Sequence, residues 1–557
     1  AMLEMASAGQ TEPSIYNQPK QFECFIDTQD PYGIEFAGTP QKLKISLLNR
    51  NKLEGKMSGR LTVEDYYGKT VCDKKIDFQD RLFRQAKEVV FEESAVGYYK
   101  AILRVEHNNR EMAYQECAFA IIPPRDMNES ADTPFGIHTL PTSKNLRLLK
   151  MLGISIVRDH MSMLTKWQVV EPEQGRFQDI EPELKKFSDL KLGILGSLDY
   201  TPFWASQIRP EYPSLKKFDM PKDLWYYARL FPPKEPTIMI PYVNHVVGAY
   251  EKYIKYWETW NEVHIIKDAD DRINTLFKHG FIHFTMQEFL DYSKMVYDAV
   301  KQVNPDTVVI GQWACQEPYS QIDDIIKAGG LQYVDKVAVH FYQGQGKGIP
   351  PDEPSERGEP PLRDRVDQWQ KLMKSMGCSV GLWDTEFGIY RMKSNYKTWN
   401  YKINWNGVEP ERAVEYIIKS YLIKISLGIE KVFYYNTFRP NYLYNYEPFI
   451  EYDMKPQPSA VAFAVMTGLF SGAEYFPDPV DDKYFHVIKA AKDNKFIYAV
   501  WLKNAGAGIK MNMDKKGADK ILNVMGNEIK GENILVTVAP VYILSGKEID
   551  AELIKIY

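Results

Sequence analysis

The chain has 557 residues, of which 44% are hydrophobic and 26% charged, with a formal net charge of −5. That length exceeds what one ordinary core can hold, so two to four domains are expected. The charge balance argues against nucleic acid or an anionic membrane as the main partner, and no apolar run approaches the ~18 residues of a membrane-spanning helix.

The first fourteen residues, AMLEMASAGQTEPS, lack an initiating Met and read, with the rest of residues 1–20, as a flexible tail or tag. A removed signal peptide would leave the same appearance, and a secreted or periplasmic location is favoured over a cytoplasmic one. Residues 21–125 read as a β-sandwich. QKLKISLLNR, MSGRLTVEDYYG, KEVVFEES, GYYKAILRVEH and YQECAFAIIP are short alternating or β-branched segments, separated by Asn, Gly and Asp turns. PPRDMNESADTP, from Pro123 to Pro134, is a linker by composition. The five cysteines (Cys24, Cys72, Cys117, Cys315 and Cys378) form no CxxC pair. A zinc site or a dense disulfide framework is not expected, although one bridge within the first 120 residues is compatible with the spacing.

The pattern changes at Phe135, and residues 130–472 read as a (β/α)8 barrel. Eight strand candidates follow in order: FGIHTL, ISIVRDH, LGILGSLDY, IKYWETWNEV, TVVIGQW, DKVAVHFYQ, SVGLWDTEFG and KVFYYNTF. Helical stretches such as SKNLRLLKMLG, FTMQEFLDYSKMVYDAVKQVNP and EPERAVEYIIKSYLIKISLG lie between them and end in Gly or Asn-Pro, as helix C-termini do. QPSAVAFAVMTGLFSG is the expected last helix. The loops RPEYPSLKKFDMPKDLWYYARLFPPKEP and QGQGKGIPPDEPSERGEPPLRD are placed over the barrel mouth. Residues 473–557 turn β-rich again, with AAKDNK as a hairpin turn, and read as a smaller C-terminal β-sandwich.

In such a barrel the site lies at the C-terminal strand ends. The polar residues there are Arg158, Asp159 and His160 on strand 2, Asp199 and Tyr200 on strand 3, and Asn261 and Glu262 on strand 4. Strand 6 adds His340 and Tyr342, strand 7 adds Asp384 and Glu386, and strand 8 adds Tyr435 and Asn436. Carboxylates on strands 4 and 7 face one another across the mouth, and such a pair is the minimum kit for glycoside hydrolysis. One must keep its proton while the other stays ionised, and Arg158 and Tyr342 are placed to hold one of them ionised. A single Glu at a strand end is ordinarily a solvated or salt-bridged residue; the pair in aromatic surroundings is not. Asp199 and Asp384 read as structural, orienting neighbours or pairing with Arg.

YWETWNEV and LWDTEFG resemble the acid/base and nucleophile motifs of the clan A glycoside hydrolases. WQVVEPEQGRF, LDYTPFWAS, the run into YWETWNE and HFY are similar to family 39 and its relatives, over about residues 135 to 472. The resemblance implies a retaining β-glycosidase acting on a polysaccharide or an oligosaccharide derived from one. It implies Glu262 as general acid/base, Glu386 as nucleophile, and Asn261 on the sugar 2-hydroxyl. It further implies that Arg158, His340 and Tyr342 tune and orient the nucleophile. Trp204, Trp313 and Trp383 are candidate walls for sugar stacking, with core packing the rival reading; Trp257 and Trp260 read as packing. Val263 stands where many relatives carry Pro.

Carbohydrate is the expected partner, no cofactor or metal is expected, and the oligomeric state is open. The alternative of another class is a non-catalytic carbohydrate-binding protein on a barrel scaffold, which an intact carboxylate pair argues against. A metal-dependent barrel enzyme would need ligands such as His138, His160, His264 and His340, which lack an HxH or HExxH spacing.

Overall fold

The computed structural model describes residues 22–549 except 51, 80, 93–94, 129–131, 209–227, 230, 269–281, 315–318, 343, 345–347, 352, 354–359, 391–407, 439–445, 452, 477–479, 482–484, 504–508, 513–516 and 531–532. Most of the two loops expected over the barrel mouth lies outside the described residues. The chain divides into two compact units, residues 1–121 and 122–557.

In the first unit, strands Phe22–Thr28, Gln41–Asn49 and Arg84–Phe91 form one antiparallel sheet. A second sheet runs in the order Ile34–Phe36, Arg110–Ile122, Gly97–His107, Met57–Asp65, Thr70–Phe78. Alternation makes the core: Leu43, Ile45 and Leu47 from one sheet meet Leu61, Val63, Leu103 and Phe119 from the other. Asn108 and Asn109 both take left-handed φ, 52° and 63°, as the tight hairpin between the two long strands demands. The strand Thr70–Phe78 escaped the sequence reading because it is an edge carrying exposed Asp73, Lys74 and Lys75. None of Cys24, Cys72, Cys117 and Cys378 is in a disulfide, so the bridge allowed by the spacing does not form among them; Cys315 lies outside the described residues.

The second unit contains a closed barrel of eight parallel strands in sequential order. These are β1 (Phe135–His138), β2 (Ile156–Arg158), β3 (Gly193–Leu198), β4 (Tyr256–Thr259), β5 (Val308–Ala314), β6 (Lys336–Val339), β7 (Gly381–Phe387) and β8 (Ile429–Tyr434). The barrel has the TIM topology, and β-sheets precede and follow it in the chain. Ile156, Leu195, Ile310, Ala338, Trp383 and Phe433 fill its interior. On the outer face Trp257 of β4 lies over Gly196 of β3, where a Cβ would meet the indole at 2.6 Å. Helix Ser143–Leu152 is capped by the Thr142 side chain and ends at Gly153 with φ 86°. Helix Met286–Val303 opens with a capping box of Thr285 and Glu288.

Helix Pro458–Phe470 is buried nearly all round, so it carries no polar stripe. It packs on helices Ser143–Leu152 and Pro410–Ser426, and Phe470 meets Tyr542 of the C-terminal sheet at 5.9 Å. That sheet runs Glu474–Tyr475, Phe485–Lys492, Lys495–Leu502, Val541–Ser545, Lys520–Leu522, and a two-stranded ribbon, Ile509–Asn512 with Asn533–Val536, adds Ile534 and Val536 to its core. Asp493 and Asn494, with φ 52° and 59°, make the hairpin turn expected at AAKDNK. No helix of the described residues is long and apolar enough to cross a membrane.

Candidate active site

Arg158 ends β2 with no exposed surface and ties three elements together. Its Nε donates to Glu258 Oε2 at 2.7 Å, Nη1 to Glu386 Oε2 at 2.8 Å and Nη2 to Asn261 Oδ1 at 2.7 Å. Burial works against its charge, but Glu258 and Glu386 outweigh burial and hold the guanidinium above its ordinary range. Glu386 lies near the end of β7, buried, and its other oxygen accepts from the Tyr342 hydroxyl at 2.7 Å. Burial raises the Glu386 carboxyl, while Arg158 and then Tyr342 pull it down.

Glu262 follows β4 in a turn where Trp260 and Glu262 both take left-handed φ, 64° and 56°. Few non-glycine residues do so, and strain of this kind gathers at sites where the surroundings over-determine the backbone. The brace is Gln312 on β5, fully buried, whose Oε1 accepts from Glu262 N–H at 2.7 Å. Val263 N–H points at the same oxygen at 3.4 Å, and Val263–Ile266 pairs in parallel with Ile282–Thr285. A proline here would lose that donor. The Glu262 carboxyl is half-buried, and burial followed by the nearby Glu386 charge pushes it up to about 8 from an ordinary 4.5.

His340, at the end of β6, places Nδ1 3.2 Å from Glu262 Oε1. This corrects one expectation: the imidazole hydrogen-bonds the strand 4 carboxyl, whereas Arg158 and Tyr342 hold the strand 7 carboxyl. Burial, Arg158 and His138 keep the His340 ring well below its usual range and hence neutral. The nearest donor atoms of Glu262, His340 and Glu386 lie within 4.8 Å of one another. That spacing would admit a divalent cation, but Arg158 already sits against Glu386 and opposes a second positive charge. Among the histidines weighed as ligands, only His340 joins this cluster in the described residues.

The three candidate stacking tryptophans part company. Trp383 is 2% exposed, lies in the barrel interior beside Tyr256 and Phe433, and donates Nε1 to Glu430 Oε2 at 3.0 Å. Trp313 is 1% exposed and packs on Gly311 and Gly330. Neither can present a face to a sugar. Trp204 is half-buried, its Nε1 anchored on Glu171 O at 3.1 Å, and it alone of the three keeps surface to offer. Trp257 and Trp260 are fully buried, as expected of packing.

Asp199 and Asp384 are structural but pair with lysines, Lys166 and Lys424, each at 2.6 Å. Sequence reasoning missed Glu258 and Gln312, and weighed His138 only as a metal ligand. Glu258 was within reach of it: counting by two from the inward Tyr256 turns Glu258 into the barrel. His138 Nε2 donates to Thr385 O at 2.9 Å and lies 3.8 Å from Glu386 Oε2. Tyr435, with its ring 5.2 Å from His138 and 5.3 Å from Tyr446, continues the aromatic wall toward Tyr342, 6.0 Å from Tyr446.

No protein-family profile matches the chain, and no curated protein matches it. Among solved structures it is similar to a family 39 glycoside hydrolase from the gut symbiont Bacteroides cellulosilyticus WH2, with TM-score 0.67 and 18% identity over 94% of this chain and 100% of that one. The fold is that of a family 39 glycoside hydrolase. Weaker likenesses include Bacteroides uniformis β-glucuronidase 2, with TM-score 0.38 and 10% identity over 94% of this chain and 58% of that one. A Parabacteroides merdae β-glucuronidase has TM-score 0.34 and 10% identity over 94% and 75%.

Proposed function

We propose that the chain is a glycoside hydrolase that cleaves β-glycosidic bonds in a polysaccharide or a derived oligosaccharide with retention, by double displacement. One observation carries the reading: oxygens of Glu262 and Glu386 lie within 4.8 Å of each other in opposite environments. Retaining enzymes hold their carboxyls about 5–5.5 Å apart, and inverting enzymes about 6.5–9.5 Å, to admit a water. Glu386 gives up its proton first because Arg158 and Tyr342 stabilise the anion. Glu262 keeps its proton at neutral pH and hands it to the leaving oxygen as Glu386 attacks the anomeric carbon. The ionised Glu262 then takes a proton from the water that opens the glycosyl ester. Asn261, with Oδ1 held by Arg158, has its amide nitrogen left to donate to a sugar hydroxyl.

The test is a panel of nitrophenyl β-xyloside, glucoside, galactoside and mannoside together with polysaccharides, with products resolved by size and the first-formed anomer read by NMR. Hydrolysis with the β-anomer appearing first is expected. The α-anomer first would assign inversion, and no cleavage of any member would set aside the enzymatic reading.

A further inference from the structure

β7 and β8 are not in simple register. Asp384 pairs with Val432 and Phe387 with Tyr434, so three residue steps on β7 face two on β8. An extra residue of this kind is a β-bulge, which re-aims side chains. Its effect here can be followed. Trp383 points into the barrel interior, and Asp384, next along the strand, points to the helix layer, where it meets Lys424 of helix Pro410–Ser426. Phe387 also faces that layer, 5.2 Å from Tyr421 of the same helix. Strict alternation from Asp384 would send Glu386 the same way, into the helices. The bulge instead delivers it to the barrel mouth beside Arg158.

A bulge leaves backbone groups without ladder partners, and buried ones must find others. The Thr385 carbonyl takes His138 Nε2 at 2.9 Å. The Asp384 carboxylate accepts from Phe341 N–H at 3.2 Å, joining the ends of β6 and β7, and the Glu386 backbone N–H favours its charged form. Lys424 Nζ lies 2.6 Å from Asp384 Oδ2 and 3.5 Å from the centre of the Phe387 ring, closing the bulge from the helix side. Asp384 and Lys424 are essentially without exposed surface. A buried ion pair is weak as a source of stability, since apolar residues of similar volume often serve as well. Apolar residues could neither accept the Phe341 N–H nor favour the Glu386 N–H.

We propose that Asp384 and Lys424 are positioning residues for the nucleophile: together they lock the bulge in β7 that aims Glu386 at the reaction centre. This rests on the reading of Glu386 as nucleophile. The test compares two double variants with the same change in charge. Asp384→Leu with Lys424→Met removes the acceptor; Asp384→Asn with Lys424→Met keeps an oxygen that can accept from the backbone N–H. Covalent labelling by an activated 2-deoxy-2-fluoro β-glycoside reports nucleophilic attack separately from binding. A misplacement near 1 Å at a reacting group costs about 100-fold, so the Leu/Met variant should label about 100-fold more slowly with its inactivator affinity within about 3-fold of wild type. The Asn/Met variant should recover at least about ten-fold of that loss. A folded Leu/Met variant labelling at the wild-type rate, or an Asn/Met variant as slow as Leu/Met, overturns the proposal. Asp384→Ala with Lys424→Met carries the same expectation if Leu prevents folding. If wild type neither cleaves nor is labelled, the glycosidase reading fails on its own. A crystal structure of the acceptor-less variant then decides the positioning claim: Glu386 displaced from Arg158 and Tyr342 supports it, and Glu386 still bonded to both overturns it.

Discussion

Glu262 and Glu386 are the same residue type held in different environments by their neighbours. Glu386 has a guanidinium and a phenol on its two oxygens, and Glu262 has a neutral imidazole and partial burial. Glu386→Ala should abolish turnover, and azide, attacking from the vacated face, should restore it with an α-glycosyl azide product; near-normal activity in the variant contradicts the assignment. With its carboxyl pushed up to about 8, Glu262 should give kcat/KM an alkaline limb near pH 8 on substrates with poor leaving groups, weaker on activated aryl glycosides. The same shift bears on stability. The folded state binds this proton more tightly than the unfolded chain, so stability from this group is full below about pH 4.5 and is lost as pH rises toward about 8. Glu262→Gln, which cannot ionise, should therefore gain in Tm over wild type as pH is raised from 5 to 8 in parallel thermal melts; a constant difference contradicts the shift. The three donor atoms near Glu262 invite a metal test as well: full activity after EDTA is expected, and loss regained with one specific divalent ion would reassign the cluster.

At the scale of strands, irregularities place the chemistry. β5 also breaks register between Gln312 and Ala314, and Gln312 bridges the irregularity by donating to Ala314 O at 2.8 Å while accepting from Glu262 N–H. Gln312→Leu leaves a buried donor unpaired at a left-handed residue. We expect a loss of about 1–3 kcal/mol in stability, read by denaturant unfolding. We also expect a kcat deficit greater for poor leaving groups than for activated ones, since the acid moves while the nucleophile does not. An equal deficit on both would show that Gln312 serves only the fold. Such bulges do not register in an apolar pattern, which reads TVVIGQW and SVGLWDTEFG as plain strands. That is why the reading placed Asp384 as structural yet missed its backbone partners.

For the whole molecule, the first unit carries its own core, with Leu43, Ile45, Leu61, Val63, Leu103 and Phe119 all at zero exposure. Residues 21–125 alone should unfold cooperatively in urea with a single transition; a non-cooperative profile would show that the core is incomplete without the remaining chain. The second unit is bound differently. Its last barrel helix, Pro458–Phe470, is buried nearly all round, and the C-terminal sheet lies against it at Phe470 and Tyr542.

The sequence by itself determined the succession of β-sandwich, eight strand–helix units and a final β-rich segment. Apolar runs, Gly and Asn-Pro stops and hairpin turns are local signals that survive without coordinates. It also put Arg158, Asn261, Glu262, His340, Tyr342 and Glu386 at strand ends, because in a barrel strand order converts directly into position around the mouth. Tertiary structure alone decided which of them touch. Arg158 reaches Glu258 across 100 positions and Glu386 across 228, and His340 turns to Glu262. It decided, too, that Trp313 and Trp383 are packing, since an indole reads the same in sequence whether it faces the core or a ligand. Charge state belongs to that same class of fact: it follows from burial and from partners far along the chain, so the Glu262 carboxyl raised by burial cannot be told in the sequence from the Glu386 carboxyl held by Arg158 and Tyr342.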